Sequence, residues 1–392
     1  MERGNVLVIG SSGVGKSTLI NAVLGEDRAE AGWGTTGTTK ALSIYESEKI
    51  PFRIIDTIGF EPSFIKEHKA ANAVKKWSKA CAKEGHEDNQ INVIWFCVDG
   101  TSSKLFPKHI ENLTGATAMW MTVPVIVVIT KSYSLPDRIR NIDMVKSAFA
   151  KQKRYTRNLR KVIPVVASTY VLNDHAFAAP EGITELIDET NSLMPEGIQA
   201  GEADIAAFKL NRKRAMAHSV TGVSTTAAVV VGAVPIPFAD AMILVPIEIA
   251  LINALARIYD IGKNEEAKLF LNSIVEVGSV SVAAKSAIGV MQAIPGVNLA
   301  ASVLNAVIAG SIVAALGEGS IYAFEQIYLG HRNLAEIDWV RKLIESEFSS
   351  QLVDVIKKVA GKIGSGTDKK DIAKIIAEVF SGSFIGSGRK RK

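Results

Sequence analysis

Gly10-Ser11-Ser12-Gly13-Val14-Gly15-Lys16-Ser17-Thr18 is the stretch whose reading decides the fold of the first half of this chain. It follows the apolar run Val6-Leu7-Val8-Ile9 and opens into Thr18-Leu19-Ile20-Asn21-Ala22-Val23-Leu24, which has helical character. Strand, glycine loop and helix, in that order, are the context that a phosphate-binding loop requires. The glycines let main-chain N–H groups fold inward around phosphate oxygens, and the helix start adds the positive end of its dipole. Lys16 is placed to reach the outer phosphates and the Ser17 hydroxyl to ligate Mg²⁺. The pattern predicts a site for a nucleoside triphosphate.

Working outward, 392 residues suffice for two or three domains, each with its own core. Hydrophobic residues make up 47% of the chain, and the excess lies mainly after residue 200. The net charge is +5. Cys81 and Cys97 lack metal-ligand spacing and read as buried, reduced thiols. The first strand begins almost at Met1, which leaves no room for a signal peptide, so a cytoplasmic location is expected for the loop-bearing domain.

From residue 4 to about 195 strand and helix patterns alternate, which argues for a doubly wound α/β domain with a mostly parallel six-stranded sheet. Strands are expected near 4–10, 41–46, 51–57, 91–99, 123–130 and 162–167. Helices are expected near 16–25, 63–84, 105–120, 137–152 and 181–193. After residue 200 strand signals vanish, and an all-α domain is expected. Ala215–Ala239 and Ser286–Gly317 carry no Asp, Glu, Lys or Arg. Each holds a prolyl break, at Pro235-Ile236-Pro237 and at Pro295-Gly296, and reads as a helical hairpin, the two forming a loose internal repeat. An amphipathic region over 334–381 reads as two helices separated by Gly361 to Asp368. The division expected is 1–198, 199–382 and a disordered basic tail at 383–392.

Two further segments bear on the first domain. Ile54-Ile55-Asp56-Thr57-Ile58-Gly59 puts a carboxylate at the end of an apolar strand with a glycine three residues on. There Asp56 would hold Mg²⁺ through water and the Gly59 N–H would meet the γ-phosphate. Gly32-Trp33-Gly34-Thr35-Thr36-Gly37-Thr38-Thr39-Lys40 lies between the two motifs. It reads as a first switch segment in which one threonine completes the Mg²⁺ shell, or else as a solvated linker.

These residues resemble the Ras-like translation-factor class of GTPases, in its septin-like and Era-like branches. GSSGVGKSTLIN is similar to the septin-like phosphate loop and DTIGF to the second switch, over roughly residues 4–195. The resemblance implies GTP and GDP as ligands, Mg²⁺ as cofactor, and Thr39 as the switch threonine, with Thr38 as the fallback. It assigns Gly10 to Thr18, Asp56, Gly59, Thr130, Lys131 and Ser168 to nucleotide binding. Ser17, Thr39 and Asp56 fall to the metal, and Lys16, Thr39 and Gly59 to catalysis. Departures stand out in base reading and in catalysis. Where the family reads guanine with Asn or Thr, Lys, any residue and Asp, this chain has Thr130-Lys131-Ser132-Tyr133, and Asp137 is out of register. Phe60 follows Gly59, where Ras-type enzymes place a water-positioning glutamine. Gly13 takes the place of the asparagine that holds potassium in some Era-like enzymes. Slow intrinsic hydrolysis follows, with Glu61 as a further candidate and a second copy facing the first across the nucleotide as one means of activation.

The apolar hairpins admit two readings. A bilayer crossing needs about 20 apolar helical residues. Val297–Leu316 meets that length, whereas Asp240 and Glu248 interrupt the first hairpin. Either the helices dip into or span a membrane, or they pack as a buried alanine-rich bundle. Lys209, Arg212, Lys213 and Arg214 precede the first hairpin and favour anionic headgroups. Residues 215–262 resemble a helical domain, with a similar Pro-x-Pro-Phe-Ala-Asp turn, that follows GTPase domains in bacterial proteins thought to be membrane-associated. The resemblance implies a place at the cytoplasmic face of the inner membrane, peripheral or integral. Lys146, Lys151, Lys153, Arg154, Arg157, Arg160 and Lys161 form a basic cluster that reads as a solvated helix face or as a surface for lipid headgroups or an acidic partner, its few aromatics speaking against nucleic acid. Three functions remain open: a GTPase switch, a catalytically weak nucleotide-binding membrane scaffold, and an ATPase on the same loop.

Overall fold

The computed structural model describes residues 3–25, 42–46, 50, 52–57, 90–116, 122–152, 156–173, 176–195, 199, 201–233, 244–277, 301–344, 349–363 and 367–387. The expected helix at 63–84, Cys81, both prolyl breaks, the first arm of the second hairpin and the tail from 388 lie outside those residues. The chain forms two compact units, one from residues 1–168 with 180–212, the other from 169–179 with 213–392.

The first unit is built on β1 (Gly4–Ile9), β2 (Leu42–Tyr45), β3 (Phe52–Thr57), β4 (Ile91–Asp99), β5 (Val125–Thr130) and β6 (Leu159–Pro164), in the order β2-β3-β1-β4-β5-β6. β2 runs antiparallel to β3, and every other pair is parallel. The helices described here are α1 (Lys16–Leu24), α2 (Phe106–Ala116), α3 (Leu135–Ala150) and α4 (Ile183–Ser192). β1 and β5 are buried along their whole length, as unalternating apolar runs at the centre of a two-sided sheet should be. Leu7, Ile9, Phe96, Val98, Val127 and Ile129 anchor the core. Trp95 is satisfied inside it by donating its indole N–H to Thr190 Oγ1 at 2.9 Å.

The sixth strand corrects the sequence reading by three residues, running 159–164 rather than 162–167. It is an edge strand, so Arg160 and Lys161 take outward positions there without penalty, and the apolar run that follows misplaces it. Pro164, which has no N–H to donate, ends the regular ladder. α3 begins earlier than expected because Pro136 is accommodated in a first turn.

The second unit contributes a hairpin of β7 (Tyr170–Asn173) and β8 (Ala176–Ala178), which no sequence signal had indicated. Helices follow at α5 (Glu202–Gly232, of which 202–212 belong to the first unit), α6 (Val245–Ile258), α7 (Glu265–Val277), α8 (Ala301–Tyr328), α9 (Ile337–Leu343), α10 (Ser349–Lys362) and α11 (Lys369–Ser387). The C-terminal amphipathic region is thus three helices instead of two. Among the described residues this helical region holds no further strand. α5 and α8 pack antiparallel through small residues. A Cβ on Gly310 would stand 2.5 Å from Val229 Cγ2, one on Gly317 2.4 Å from Thr221 Cγ2, and one on Gly232 2.5 Å from Ala309 Cβ. Arg214 Nε donates to Glu325 Oε2 at 2.7 Å and His218 Nδ1 lies 2.9 Å from Glu318 Oε1 along the same seam. Both helices are long and apolar enough to cross a bilayer, but the most apolar window of α8 is 89% buried within the fold, against 39% for α5.

Candidate nucleotide site

The site lies where β1, β4 and β5 end, at the carboxyl edge of the sheet, where open α/β sheets bind ligands. Between β1 and α1 the chain turns through Gly13 and Gly15, whose φ values of 75° and 100° are left-handed. α1 therefore starts abruptly, with Leu19 N–H bonded to Gly15 O at 3.0 Å and Ser17 and Thr18 exposed in its first turn. Val14 is buried beneath the loop, its N–H 3.3 Å from Ser11 O. Gly10 touches β4, where an added Cβ would stand 2.7 Å from Cys97 O. The loop accordingly rests on the sheet as a fixed cradle.

Lys16 is 9% exposed, and its Nζ donates to Gly10 O at 2.9 Å and Ser11 O at 3.2 Å. The ammonium is held across the first turn of the loop by its own carbonyls. Asp56, also buried, pairs in register with Val8 of β1, one strand away. Burial pushes the Cys97 thiol up to about 12, with Lys16 lowering it and Asp56 raising it. Both charges thus act at the same point of the sheet edge, and Cys97 stays an inert thiol, as the sequence predicted for it.

The end of β5 closes the other side. Thr130 Oγ1 is 2.6 Å from Val14 O and 3.0 Å from Val98 O. Lys131, in left-handed backbone at φ 51°, donates to Gly13 O at 2.8 Å and to Asp99 Oδ2 at 2.6 Å. Ser132 N–H bonds to Val165 O at 3.1 Å, which ties the chain just after β6 to the β5 loop; Ser168, three residues further on, is exposed. Tyr133 stands where the family places its guanine-reading carboxylate. Asp137 is in the first turn of α3, 3.7 Å from Arg140, as its out-of-register position implied.

Lys16, Ser17, Asp56, Thr130, Lys131 and the loop from Gly10 to Thr18 are therefore brought to one edge. Thr35, Thr36, Thr38, Thr39, Gly59, Phe60 and Glu61 lie outside the described residues. Sequence reasoning missed Asp99. Burial alone would raise its carboxyl, but hydrogen bonds from Lys131 and Thr101 outweigh that and hold it below the usual range. It ends the central strand β4, and only the pairing of β4 with β5 brings it to Lys131. Of the basic cluster, Lys146, Lys151, Arg157 and Arg160 are exposed, while Lys161 pairs with Glu185 at 3.0 Å and Glu189 at 3.3 Å.

Comparison with known proteins agrees with this geometry. Residues 5–131 match the family described as 50S ribosome-binding GTPase, and residues 204–348 match a domain of unknown function, DUF697. GTPase Der of Ureaplasma parvum is 29% identical over 159 residues, 39% of this chain and 33% of that protein. GTPase Der of Neisseria meningitidis is 42% identical over 89 residues, 22% of this chain and 17% of that one. The chain thus spans a third or less of the length of these curated relatives. Among solved structures, Aquifex aeolicus Era bound to GDP·AlF4⁻ is 22% identical, with a TM-score of 0.31 over 58% of this chain and 67% of that one. The first match spans the phosphate loop and ends at Lys131, and the second begins within α5 and runs through α8 and α9.

Proposed function

We propose that the chain is a Mg²⁺–GTP-binding switch that hydrolyses GTP slowly, and that its nucleotide state controls an apolar helical domain that meets a membrane surface or another copy. The observation that carries the nucleotide half is the cradle at Gly10–Thr18. Its left-handed glycines, anchored Lys16 and exposed helix start present amides and an ammonium to a polyphosphate. The hard oxygens available, the Ser17 hydroxyl and the Asp56 carboxylate, suit Mg²⁺, with Thr39 as the third candidate from sequence. The ion, when bound, neutralises charge on the phosphates. Lys16 shares that task, and the loop amides hold the phosphate chain against the helix end.

Thr39 and Gly59 are assigned to sensing the γ-phosphate, and Phe60, unable to orient water, makes turnover slow. The Der relatives bear the GTPase name, as does the family matched over residues 5–131, which supports guanine as the base. Tyr133 in place of a carboxylate favours a second reading, an ATPase or a base-tolerant nucleotide holder. The helical half rests on exposed Ile249, Leu269, Tyr322 and Leu329, which offer apolar contacts at the surface of the second unit. Its expected location is the cytoplasm, at the inner face of a membrane.

Competition of ATP and GTP for labelled GTP on the full chain, with turnover followed across protein concentration, tests the proposal. Preference for GTP and turnover that rises with concentration are expected. Equal competition overturns guanine selection, and turnover flat near zero favours the scaffold. Flotation with anionic vesicles in the presence of a non-hydrolysable GTP analogue or of GDP tests the membrane half, which fails if neither state floats.

A further inference from the structure

Lys131 is restrained more heavily than a residue that merely lies along a base would need to be. Its backbone is left-handed, and its ammonium has acceptors on two separate elements, Gly13 O on the crest of the loop and Asp99 Oδ2 at the end of β4. Asp99 is itself pinned, since its Oδ1 accepts from Thr101 N at 2.9 Å and Thr101 Oγ1 at 2.6 Å. Through those bonds it caps the turn Gly100–Leu105. A Cβ on Gly15 would stand 3.9 Å from Lys131 Cε, so the lysine stem lies against the loop along its course.

A lysine held by one neutral carbonyl keeps most of the freedom of its four-carbon stem. A short charge-assisted bond to a fixed carboxylate removes that freedom. We propose that Asp99 is a positioning residue for nucleotide retention: it locks Lys131 across the crest of the phosphate loop and so slows the release of bound nucleotide. The inference rests on the nucleotide-binding reading above. Asp99 faces Lys131 and Thr101, and among the described residues its partners do not include Ser17 or Asp56, two of the three groups assigned to the metal. Retention should therefore change without a matching change in the chemical step.

The test uses the full chain loaded with fluorescent mant-GDP and chased with excess GDP, alongside single-turnover hydrolysis of GTP. Asp99→Ala is expected to accelerate release by roughly tenfold to a hundredfold while single-turnover hydrolysis stays within about twofold. Asp99→Asn, which keeps the shape and an acceptor for Thr101, is expected to fall between Asp99→Ala and the parent, and it decides the matter if Asp99→Ala does not fold. Combining Asp99→Ala with Lys131→Ala should release no faster than Lys131→Ala alone. Unchanged release in Asp99→Ala or Asp99→Asn, or effects that multiply in the double variant, overturn the proposal. A parent chain that binds no mant-GDP overturns the nucleotide reading instead, which is a separate result.

Discussion

Lys16 and Glu248 are both charged-type side chains taken out of water, and the contrast between them separates the two units. Lys16 is buried at the sheet edge with two carbonyl oxygens on its ammonium. Glu248, on α6, is 1% exposed, and its Oε2 has no hydrogen-bond partner among the described residues. Burial pushes that carboxyl up to about 7. A buried group with partners is organised in advance for a charge it will meet. A buried acid without them makes its own ionised form costly. Charge at the first site is arranged around the loop; at Glu248 burial favours the protonated acid.

The strongest challenge to that contrast is Lys16→Ala. Loss of GTP affinity by about a hundredfold or more is expected by calorimetry, because a charge-assisted contact disappears from a preformed cradle. Binding that survives intact would mean the cradle does not depend on its ammonium.

Glu248→Gln comes next. The folded-state value of Glu248, about 7, lies above its ordinary 4.5, so the group favours folding fully below about pH 4.5. That contribution falls as pH rises toward 7 and is gone above it. The Gln variant should therefore melt higher than the parent at pH 8, by the equivalent of about 3 kcal/mol, and match it at pH 4. Circular dichroism melts at the two pH values check this, and equal shifts at both would show that Glu248 has a partner in solution.

Gly310→Leu probes the α5–α8 seam. With Val229 Cγ2 only 2.5 Å from an added Cβ, overpacking should lower stability by about 2 kcal/mol in aqueous buffer. No change in the melt would mean that the two helices separate in solution. The smallest effect belongs to Arg214→Ala. Its bond to Glu325 is half-exposed, and a cost below about 1 kcal/mol is expected. A larger loss would put that pair in a drier setting than its exposure indicates.

Much of the first unit was legible because its signals are local. A glycine loop between an apolar strand and a helix, and unalternating runs at β4 and β5, each imply their own surroundings. β6 was misplaced since an edge strand tolerates Arg160 and Lys161, so hydropathy there points to the wrong end. β7 and β8 went unread: Tyr170, Val171 and Leu172 look like core residues but are exposed in a short hairpin. The C-terminal helices were counted short by one, and α11 runs on to Ser387.

Asp99 shows the limit most clearly. An aspartate after Cys97-Val98 has no motif of its own, and its role appears only when β4 and β5 pair in register and set it against Lys131. The order of residues alone determined that a glycine loop of the phosphate-binding pattern sits on an α/β sheet, because backbone geometry at a glycine loop depends on a few adjacent positions. Only tertiary structure decided which lysine meets which carboxylate, and that the uncharged stretch in α8 is packed inside protein. Both depend on segments far apart in sequence, whose approach is governed by burial and register and not by nearest neighbours.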